Sequence, residues 1–463
     1  MIPVLTPDEI AAVDAAAPEP IDVLIDRAGA AVARSAMRLM GGGAYGRRVH
    51  VIAGAGNNGG DGRRAAALLV AAGARVDVHD AANCPLELDR ADLVIDAAYG
   101  TGFHGEWVAP DIDAAAVLAV DIPSGVDGMT GVVSGRALQA DVTVTFAAMK
   151  PGHLFGDGRA LSGRVDVADI GLPLDRQERS RRTGVVDEDD IASWWQPRPH
   201  DAHKWSSALR VVAGSPGMGG AAWLTAEAAT RAGAGLVHLM SPGGHVTAPK
   251  EVITAPLASE DWHRGALRDL DRFHALVIGP GLGRHERNVA PAVNTVSDAG
   301  VPVVVDGDAL FALAVADGAV AERIRRRRRA TILTPHDGEF ELLTGARPGD
   351  DRIEAARSLA AECRCVVLLK GPTTIVASST GSVRLVANGD QRLATAGSGD
   401  VLSGIIGALV ASGHNAFDAA TCGAWIHAAA GNRGHAHGLV AGDLPSLVPG
   451  VLADVAAARR TTR

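Results

Sequence analysis

The sequence predicts an α/β protein of two domains, each a three-layer α/β/α sandwich. Short apolar runs of strand length recur along the chain, and Ala-rich helical stretches separate them. A charged, proline-containing stretch between residues 171 and 206 interrupts this alternation. The chain has 463 residues, which is too long for one ordinary core, since a domain averages roughly 150 residues. We place the boundary near Thr183, which gives domains at residues 1–182 and 183–463.

Composition and charge exclude several classes of protein. Hydrophobic residues make up 47% of the chain and charged residues 21%, the balance of a folded globular protein. The net charge of −9 argues against a general nucleic-acid binder, which needs a basic surface to displace counterions. The first residues lack a signal peptide's basic and apolar segments, and no run of about 18 apolar residues follows. We therefore expect a cytoplasmic protein with neither nucleic-acid nor membrane partners.

The N-terminal domain is predicted to open with a helix and continue with buried strands. Thr6 is a candidate N-cap, Pro7 suits the first helical position, and Glu9 is placed to complete a capping box. Five apolar runs follow, and strands buried on both faces of a parallel sheet have this composition. The runs are RVHVIAGAG from Arg48, ARVDVHDA from Ala74, DLVIDAAYG from Asp92, VLAVDIPSG from Val117 and DVTVTFAAM from Asp141.

Polar residues at the ends of these strands predict the first site. The glycine-rich turn at 54–62 follows a strand and precedes a helical stretch, so its backbone amides can bind an anion. Asp96 ends another strand, and Asp121 and Ser124 follow a third. A single such Asp is more often a helix N-cap. Together with Asn58, however, these residues offer oxygen ligands for a hard cation and a carboxylate for proton transfer.

Four motifs give residues 1–180 a resemblance to the NAD(P)H-hydrate epimerase family, whose fold is Rossmann-like. NNGGDG, DAAYGTG, DIPSG and AMKPGH occur here in the family's order. The resemblance implies a potassium ion held by Asn58, Asp96 and Ser124, and it makes Asp121 the candidate catalytic acid or base. It also implies that the hydrate is bound by Asn57, Asn58, Gly59, Gly60, Asp61, Gly100, Thr101, Gly102, Phe103, His104, Gly105, Glu106 and Asp121.

The C-terminal domain repeats the alternation of strands and helices with different motifs. Its predicted strands lie in LRVVAGS, LVHLMSP, ALVIGPGLG, PVVVDGDAL, ATILTPHDGE, CVVLLKGPTT and VRLVANG. TAGSGDVLSG, at 395–404, opens a long helical run, so the amides of Ala396, Gly397, Ser398 and Gly399 should converge on an anion at the helix N-terminus. Asp400 then lies beside a phosphoryl group and is the candidate general base.

Further motifs give residues 200–455 a resemblance to the ribokinase-like superfamily, and specifically to ADP- or ATP-dependent NAD(P)H-hydrate dehydratase. These motifs are GSPGMGGAA at 214–222, GPGLG at 279–283, TPHDGEF at 334–340 and the lysine-containing KGPTT at 370–374. The resemblance implies hydrate contacts at Ala221, Gly283, His336 and Asp400. It implies nucleotide contacts at Lys370, Gly371, Pro372, Thr373, Thr374 and Gly399, with Mg²⁺ bridging the phosphates.

The two resemblances together imply a bifunctional repair enzyme that acts on NADHX and NADPHX, the hydrated forms of NADH and NADPH. One domain would interconvert the R and S hydrates, and the other would dehydrate the S hydrate with ADP or ATP as co-substrate; the family resemblance favours ADP. The alternatives are a small-molecule kinase of the ribokinase-like superfamily with an accessory N-terminal binding module, and a first domain that serves only as a scaffold. We expect a homo-oligomer.

Overall fold

The computed structural model describes residues 1–174 and 183–461, in two compact units. One unit comprises residues 2–184, and the other comprises Met1 and residues 185–463. Part of the expected linker, residues 175–182, lies outside the described residues, as do residues 462–463. No helix within the described ranges is long and apolar enough to cross a membrane.

The N-terminal unit is built on a parallel sheet of six strands. Its helices are α1 (Pro7–Ala15), α2 (Ile21–Leu39), α3 (Asn57–Ala71) and α4 (Gly158–Leu161). Its strands are β1 (Ile2–Pro3), β2 (Arg48–Ala53), β3 (Arg75–Asp80), β4 (Glu87–Ala91), β5 (Leu93–Ala97), β6 (Trp107–Val108), β7 (Asp111–Ala114), β8 (Val117–Val120), β9 (Gly135–Arg136), β10 (Val142–Phe146) and β11 (Arg164–Ala168). The sheet order is β11-β10-β8-β5-β2-β3, so all five predicted strands are present and neighbours are parallel.

The two faces of this sheet are covered differently. Helices α2 and α3 pack on one face, where Val51, Ile95 and Val120 are fully buried. The other face is covered largely by the short pairs β4–β7 and β6–β9, with Trp107 and Leu138 packed on it. The connections between β3, β5, β8 and β10 hold these short strands, so the second layer is thinner than the helical one. The α1 prediction is confirmed to the residue: Thr6 caps the helix and forms the capping box with Glu9.

The turn from β2 into α3 depends on a glycine. Gly59 lies in the first turn of α3, and a Cβ at this position would lie 1.8 Å from the backbone oxygen of Gly54. We expect Gly59→Ala to destabilise the N-terminal unit by at least ~2 kcal/mol, because backbone must move to relieve the clash. Thermal unfolding followed by calorimetry checks this. Gly43→Ala is the control, since a Cβ there meets nothing within 4 Å; equal Tm values for the two variants would refute the argument.

The C-terminal unit has a larger mixed sheet. Its helices are α5 (Glu188–Trp194), α6 (Gly219–Arg231), α7 (His263–Leu267), α8 (Glu286–Asp298), α9 (Asp308–Val315), α10 (Val320–Arg325), α11 (Asp337–Thr344), α12 (Arg352–Cys363), α13 (Ser398–Ala411), α14 (Ala416–Arg433) and α15 (Leu444–Thr461). Strand β12 (Thr183–Val185) lies where the units divide. The strands after it are β13 (Ala208–Val212), β14 (Leu236–Pro242), β15 (Ile253–Leu257), β16 (Ala275–Ile278), β17 (Val303–Val305), β18 (Thr331–Leu333), β19 (Val366–Leu369), β20 (Thr374–Ala377) and β21 (Val383–Val386).

Strand order brings the motif-bearing strands of this unit side by side. The order is β21-β20-β19-β18-β17-β16-β13-β14-β15, parallel from β15 to β19 and antiparallel in the hairpin of β19, β20 and β21. Helices α6, α13, α14 and α15 share a core with one face of the sheet. Leu276, Val303 and Leu333 point to the opposite face and are also buried. The α/β class is therefore confirmed, while β15 and β20 are strands that the sequence did not predict.

Two candidate active sites

The first candidate site is a cavity of about 540 Å³ in the N-terminal unit. Apolar side chains of α1 and α2, among them Ile10 and Leu24, form part of its wall. Polar groups from the turns after the sheet strands form the rest, because the carboxyl ends of parallel strands meet at one edge. The polar residues that line it are Asp14, Asn57, Asn58, Asp61, Tyr99, Thr101, Asp121 and Lys150.

Asp121 has the most heavily constrained side chain in this cavity. It follows β8 with φ at +68°, a left-handed conformation that few residues other than glycine adopt. Its Oδ2 accepts from the backbone N–H of Thr101 (3.0 Å) and from the Thr101 hydroxyl (2.6 Å). Its Oδ1 accepts from Lys150 Nζ (2.5 Å) and from Thr145 Oγ1 (3.2 Å). Such strain at a cavity indicates a functional position that the surroundings hold in place.

Lys150 and His153 are partners of Asp121 whose roles the sequence did not reveal, although both lie in the AMKPGH motif. Lys150 is 1% exposed. Burial alone would raise the pKa of Asp121, but the Lys150 ammonium and the hydrogen bonds hold it well below its usual range, so this carboxylate is ionised. The His153 Nδ1 accepts from the Lys150 N–H (3.0 Å), so its Nε2 carries the proton and donates to the Asp121 carbonyl (2.8 Å). Burial lowers the pKa of His153 to about 4.

A second carboxyl group in the cavity has the opposite protonation state to that of Asp121. Asp61, on α3, is 7% exposed. Burial raises its pKa to about 8, with further contributions from the charges of Asp121 and Asp14. Burial also raises the pKa of Asp14, which Lys150 partly offsets. At neutral pH the cavity therefore holds a protonated Asp61 facing the same space as an ionised Asp121, which is the arrangement that acid and base catalysis requires.

The residues expected to hold potassium lie next to this cavity. Asp96 is 1% exposed; its Oδ1 accepts from Ser124 Oγ (2.6 Å) and its Oδ2 from the Ser124 N–H (2.8 Å). The Asn58 Nδ2 is buried without a hydrogen-bond partner. Its Oδ1 lies 3.5 Å from where a Cβ of Gly100 would be, and Asp121 Oδ2 lies 3.0 Å from that point. Burial raises the pKa of Asp96 because it disfavours the charged carboxylate, and a bound cation would offset that desolvation cost. Amide, carboxylate and hydroxyl oxygens suit an alkali cation.

The remaining residues predicted for this site divide into those that line the cavity and those that do not. Gly100 to Phe103 line the cavity, and Phe103 stacks on Tyr99 with ring centroids 4.0 Å apart. His104, Gly105 and Glu106 are exposed and are not among the residues that line the cavity. Gly59 and Gly60 are not among the residues that line the cavity either; an added Cβ would meet Gly54 at Gly59 and Ile25 at Gly60. The geometry thus brings Asn57, Asn58, Asp61 and residues 100–103 together around Asp121.

The second candidate site lies at the N-terminus of α13. Gly397, with φ at +90°, is the N-cap of α13. The Ser398 N–H donates to the Thr395 carbonyl (3.2 Å), whereas the other amides of a first helical turn have no acceptor within the helix and can face an anion. Asp400 lies in the first turn. Burial raises its pKa to about 7, the negative charge of Asp306 adds to the rise, and Lys370 opposes it. A pKa near neutrality suits a general base.

Lys370 reaches this turn from the sheet edge. A Cβ at Gly399 would lie 3.5 Å from Lys370 Nζ and 3.9 Å from Asp306 Oδ2. Lys370 Nζ donates to Asp306 Oδ1 (2.8 Å) and lies 3.6 Å from Glu339 Oε2. The sequence assigned no role to Asp306 or Glu339, although PVVVDGDAL and TPHDGEF contain them. Among residues 1–174 and 183–461, no group of three or more His, Cys, Asp and Glu side chains is arranged to hold a metal ion.

The other residues predicted for the second site occupy neighbouring turns. Ala221 lies in the first turns of α6, and a Cβ at Gly281 would lie 2.8 Å from its Cβ, so the 279–283 loop meets that helix end. The Gly283 N–H donates to Asp308 Oδ2 (2.8 Å). His336 is the N-cap of α11: its Nδ1 accepts from the N–H groups of Gly338 and Glu339. Its side chain remains 56% exposed, so the ring can still contact a ligand.

Some residues of the segments predicted to bind the nucleotide are exposed to solvent, and others are buried. Gly371 and Pro372 are exposed, whereas Thr373 is buried and Thr374 is the first residue of β20. Ala396 is exposed beside the turn. Ser398 is buried, and its hydroxyl lies 3.0 Å from His427 Nε2. The exposed residues 371, 372 and 396 and the half-buried Gly397 are therefore the part available to a nucleotide.

Comparisons with known proteins agree with both halves of this description. A protein-family model described as NAD(P)H-hydrate dehydratase matches residues 209–449, and one described as YjeF-related protein N-terminus matches residues 21–89 and 79–152. A bifunctional NAD(P)H-hydrate repair enzyme from Moorella thermoacetica is 36% identical, and the alignment covers 94% of this chain and 92% of that one.

Two solved structures resemble part of the chain. The ADP/ATP-dependent NAD(P)H-hydrate dehydratase from Bacillus subtilis, co-crystallised with ATP and Mg²⁺, is 27% identical with a TM-score of 0.50, covering 58% of this chain and 98% of that one. A ribokinase-like superfamily protein from Enterococcus faecalis is 18% identical with a TM-score of 0.52, covering 60% and 97%. The second likeness shows the ribokinase-like fold alone.

Proposed function

The chain belongs to the family of bifunctional NAD(P)H-hydrate repair enzymes, and from this premise we propose how its two units divide the work. The unit of residues 2–184 epimerises the R and S hydrates of NADH and NADPH. The unit that begins at Val185 dehydrates the S hydrate with a nucleotide as phosphoryl donor. The observation that carries the assignment is Asp400, a carboxylate with a pKa of about 7 placed beside the anion-binding turn of α13.

In the second unit, Asp400 acts as the general base. Hydroxide leaves a hydrated nicotinamide ring poorly, whereas phosphate leaves well. Asp400 accepts the proton of the ring hydroxyl while the hydroxyl oxygen attacks the terminal phosphorus of the nucleotide, and the bond to the leaving phosphate of the nucleotide breaks. The ring nitrogen then expels the new phosphate group, and loss of a proton from the adjacent ring carbon restores the dihydronicotinamide.

The amides of Gly397 and Gly399 and the Lys370 ammonium hold the phosphates in this proposal. The B. subtilis dehydratase with ATP and Mg²⁺ supports a nucleotide with Mg²⁺ as co-substrate, and we propose ADP as the donor. Mg²⁺, when bound with the nucleotide, neutralises charge on the transferred phosphoryl group. Ala221, Gly283 and His336 then face the hydrate from α6, the 279–283 loop and the start of α11.

In the first unit, Asp121 and Asp61 form the acid and base pair. The protonated Asp61 donates to the ring hydroxyl, which leaves as water as the ring nitrogen forms an iminium ion. Asp121, ionised by Lys150, then accepts a proton from a water molecule that adds to the opposite face of the ring. Asn58, Asp96 and Ser124 would hold a potassium ion, which would supply a fixed positive charge next to the cavity.

One experiment on the full chain tests this function against a kinase. Both hydrate epimers of NADH are supplied with ADP and Mg²⁺, and NADH absorbance is followed together with free phosphate. We expect one phosphate to be released for each NADH formed, and we expect the R hydrate to be consumed as well. Phosphate retained on the product would instead favour a small-molecule kinase. Homo-oligomerisation and a cytoplasmic location stay predictions.

A further inference from the structure

Three polar residues follow three adjacent strands of the C-terminal sheet, one directly after each. Asp306 follows β17, Thr334 follows β18 and Lys370 follows β19. These strands are parallel neighbours. Their carboxyl ends therefore deliver the three side chains to the same edge, next to the start of α13.

Asp306 connects all of these elements through its carboxylate. It is 2% exposed. Its Oδ1 accepts from Lys370 Nζ (2.8 Å) and Thr334 Oγ1 (2.8 Å), and its Oδ2 accepts from Ser403 Oγ (2.7 Å) on α13. Burial alone would raise the pKa of Asp306, but Lys370 and the hydroxyl donors lower it below its usual value, so the group is ionised.

A buried ion pair of this kind is weak evidence for stability, because desolvation offsets much of the attraction. Its position suggests another role. Both Lys370 Nζ and Asp306 Oδ2 lie within 4 Å of the place where a Cβ of Gly399 would be, one residue before Asp400. The pair is therefore in contact with the turn proposed to hold the transferred phosphoryl group.

We propose that Asp306 is a positioning residue of the dehydratase: it fixes the Lys370 ammonium against the turn before Asp400, and its permanent negative charge makes Asp400 a stronger proton acceptor. The inference rests on the proposed function of Asp400. Asp306 touches neither the hydrate nor the nucleotide in this proposal. It acts through Lys370 and through its electrostatic effect on Asp400.

The charged groups around Asp400 determine the sign of the expected effect. Asp306, Asp308 on α9 and Glu339 on α11 raise the pKa of Asp400, and Lys370 lowers it. His427 on α14, whose Nε2 lies 3.0 Å from Ser398 Oγ, is buried with a pKa of about 4 and is neutral. Removing the charge of Asp306 withdraws one raising contribution and leaves the lowering effect of Lys370. The pKa of Asp400 must then fall.

The test is the pH profile of ADP-dependent dehydration by the full-length Asp306→Asn variant. The base works when deprotonated, so kcat falls on the acid side. We expect this acid limb to move to lower pH by about one unit, and kcat at its plateau to fall on the order of tenfold because Lys370 loses its anchor. Ser403→Ala is the control: it removes one hydrogen bond from the same carboxylate without changing charge, so its acid limb should stay in place.

An unmoved acid limb in Asp306→Asn, with Asp400→Asn inactive, would overturn the positioning role and leave the proposed function intact. Full activity of Asp400→Asn would overturn both. Should Asp306→Asn not fold, Asp306→Glu carries the test, because it keeps the charge and displaces Lys370. We then expect an unmoved acid limb and a raised KM for ADP, and a wild-type KM would refute the inference.

Discussion

Asp400→Asn should lower the rate of S-hydrate dehydration on the order of 10³-fold, because a general base contributes about 10²-fold to 10⁴-fold. The substitution keeps the shape of the side chain and removes its ability to take a proton. ADP binding should survive, since the amides of the α13 turn and Lys370 are unchanged. Single-turnover kinetics with hydrated NADH and calorimetric titration of ADP measure the two quantities.

Epimerisation by the same Asp400→Asn chain is the internal control and should keep its wild-type rate. The wild-type enzyme should also show the pKa of the base. Burial raises the pKa of Asp400 to about 7, and only the ionised form accepts a proton, so kcat/KM should decline tenfold per unit below about pH 7. Dehydration at full rate in Asp400→Asn would remove this residue from the mechanism.

Asp121→Asn should abolish R-to-S epimerisation, with a loss on the order of 10³-fold. Asparagine is the informative substitution here, because among residues other than glycine it tolerates the left-handed φ of +68° well. It can still accept from Thr101, so a loss of activity reports the missing charge and not a rebuilt backbone. Exchange between the epimers, followed by chromatography or NMR, measures the rate.

Dehydration of pure S hydrate by Asp121→Asn should continue at the wild-type rate. Asp61→Asn supplies a second comparison, since it removes the acid and leaves the Asp121–Lys150 pair in place. We expect it to slow epimerisation as well. If Asp121→Asn epimerises the R hydrate as fast as the wild type, the pair proposed here is wrong and another group in the cavity moves the proton.

The sequence predicted strand ends well and side-chain partners poorly. Asp96, Asp121 and Ser124 meet at one edge because apolar runs of strand length locate the ends of buried parallel strands. Lys150 pairs with Asp121 across 29 positions, and Lys370 with Asp306 across 64. Such pairs form only between particular neighbouring strands, and the local sequence pattern does not predict the order of the strands in the sheet.

The hairpin after β19 shows a second limit. KGPTT reads as a loop at a strand end, yet Thr374 begins the antiparallel strand β20. Only residues 370–373 separate the end of β19 from Thr374, too short a stretch for periodicity to resolve. The sequence also could not show that residues 104–106 are exposed and do not line the cavity. A motif indicates which residues lie near a site in the sequence, but it does not indicate which side chains face the cavity.

The neutral ring of His153 gives the N-terminal unit a sensitivity to acid. The ring accepts at Nδ1 and donates at Nε2, and a second proton would set a donor against the Lys150 N–H. The pKa of His153 is about 4 in the folded protein, against the usual 6.5. Between these two pH values the imidazole stays neutral in the native state and is protonated in the unfolded chain. Conformational stability should therefore decline as pH falls from 6.5 toward 4, and the decline should level off below that. The ring that donates to the backbone of Asp121 thus also makes the N-terminal unit less stable in acid.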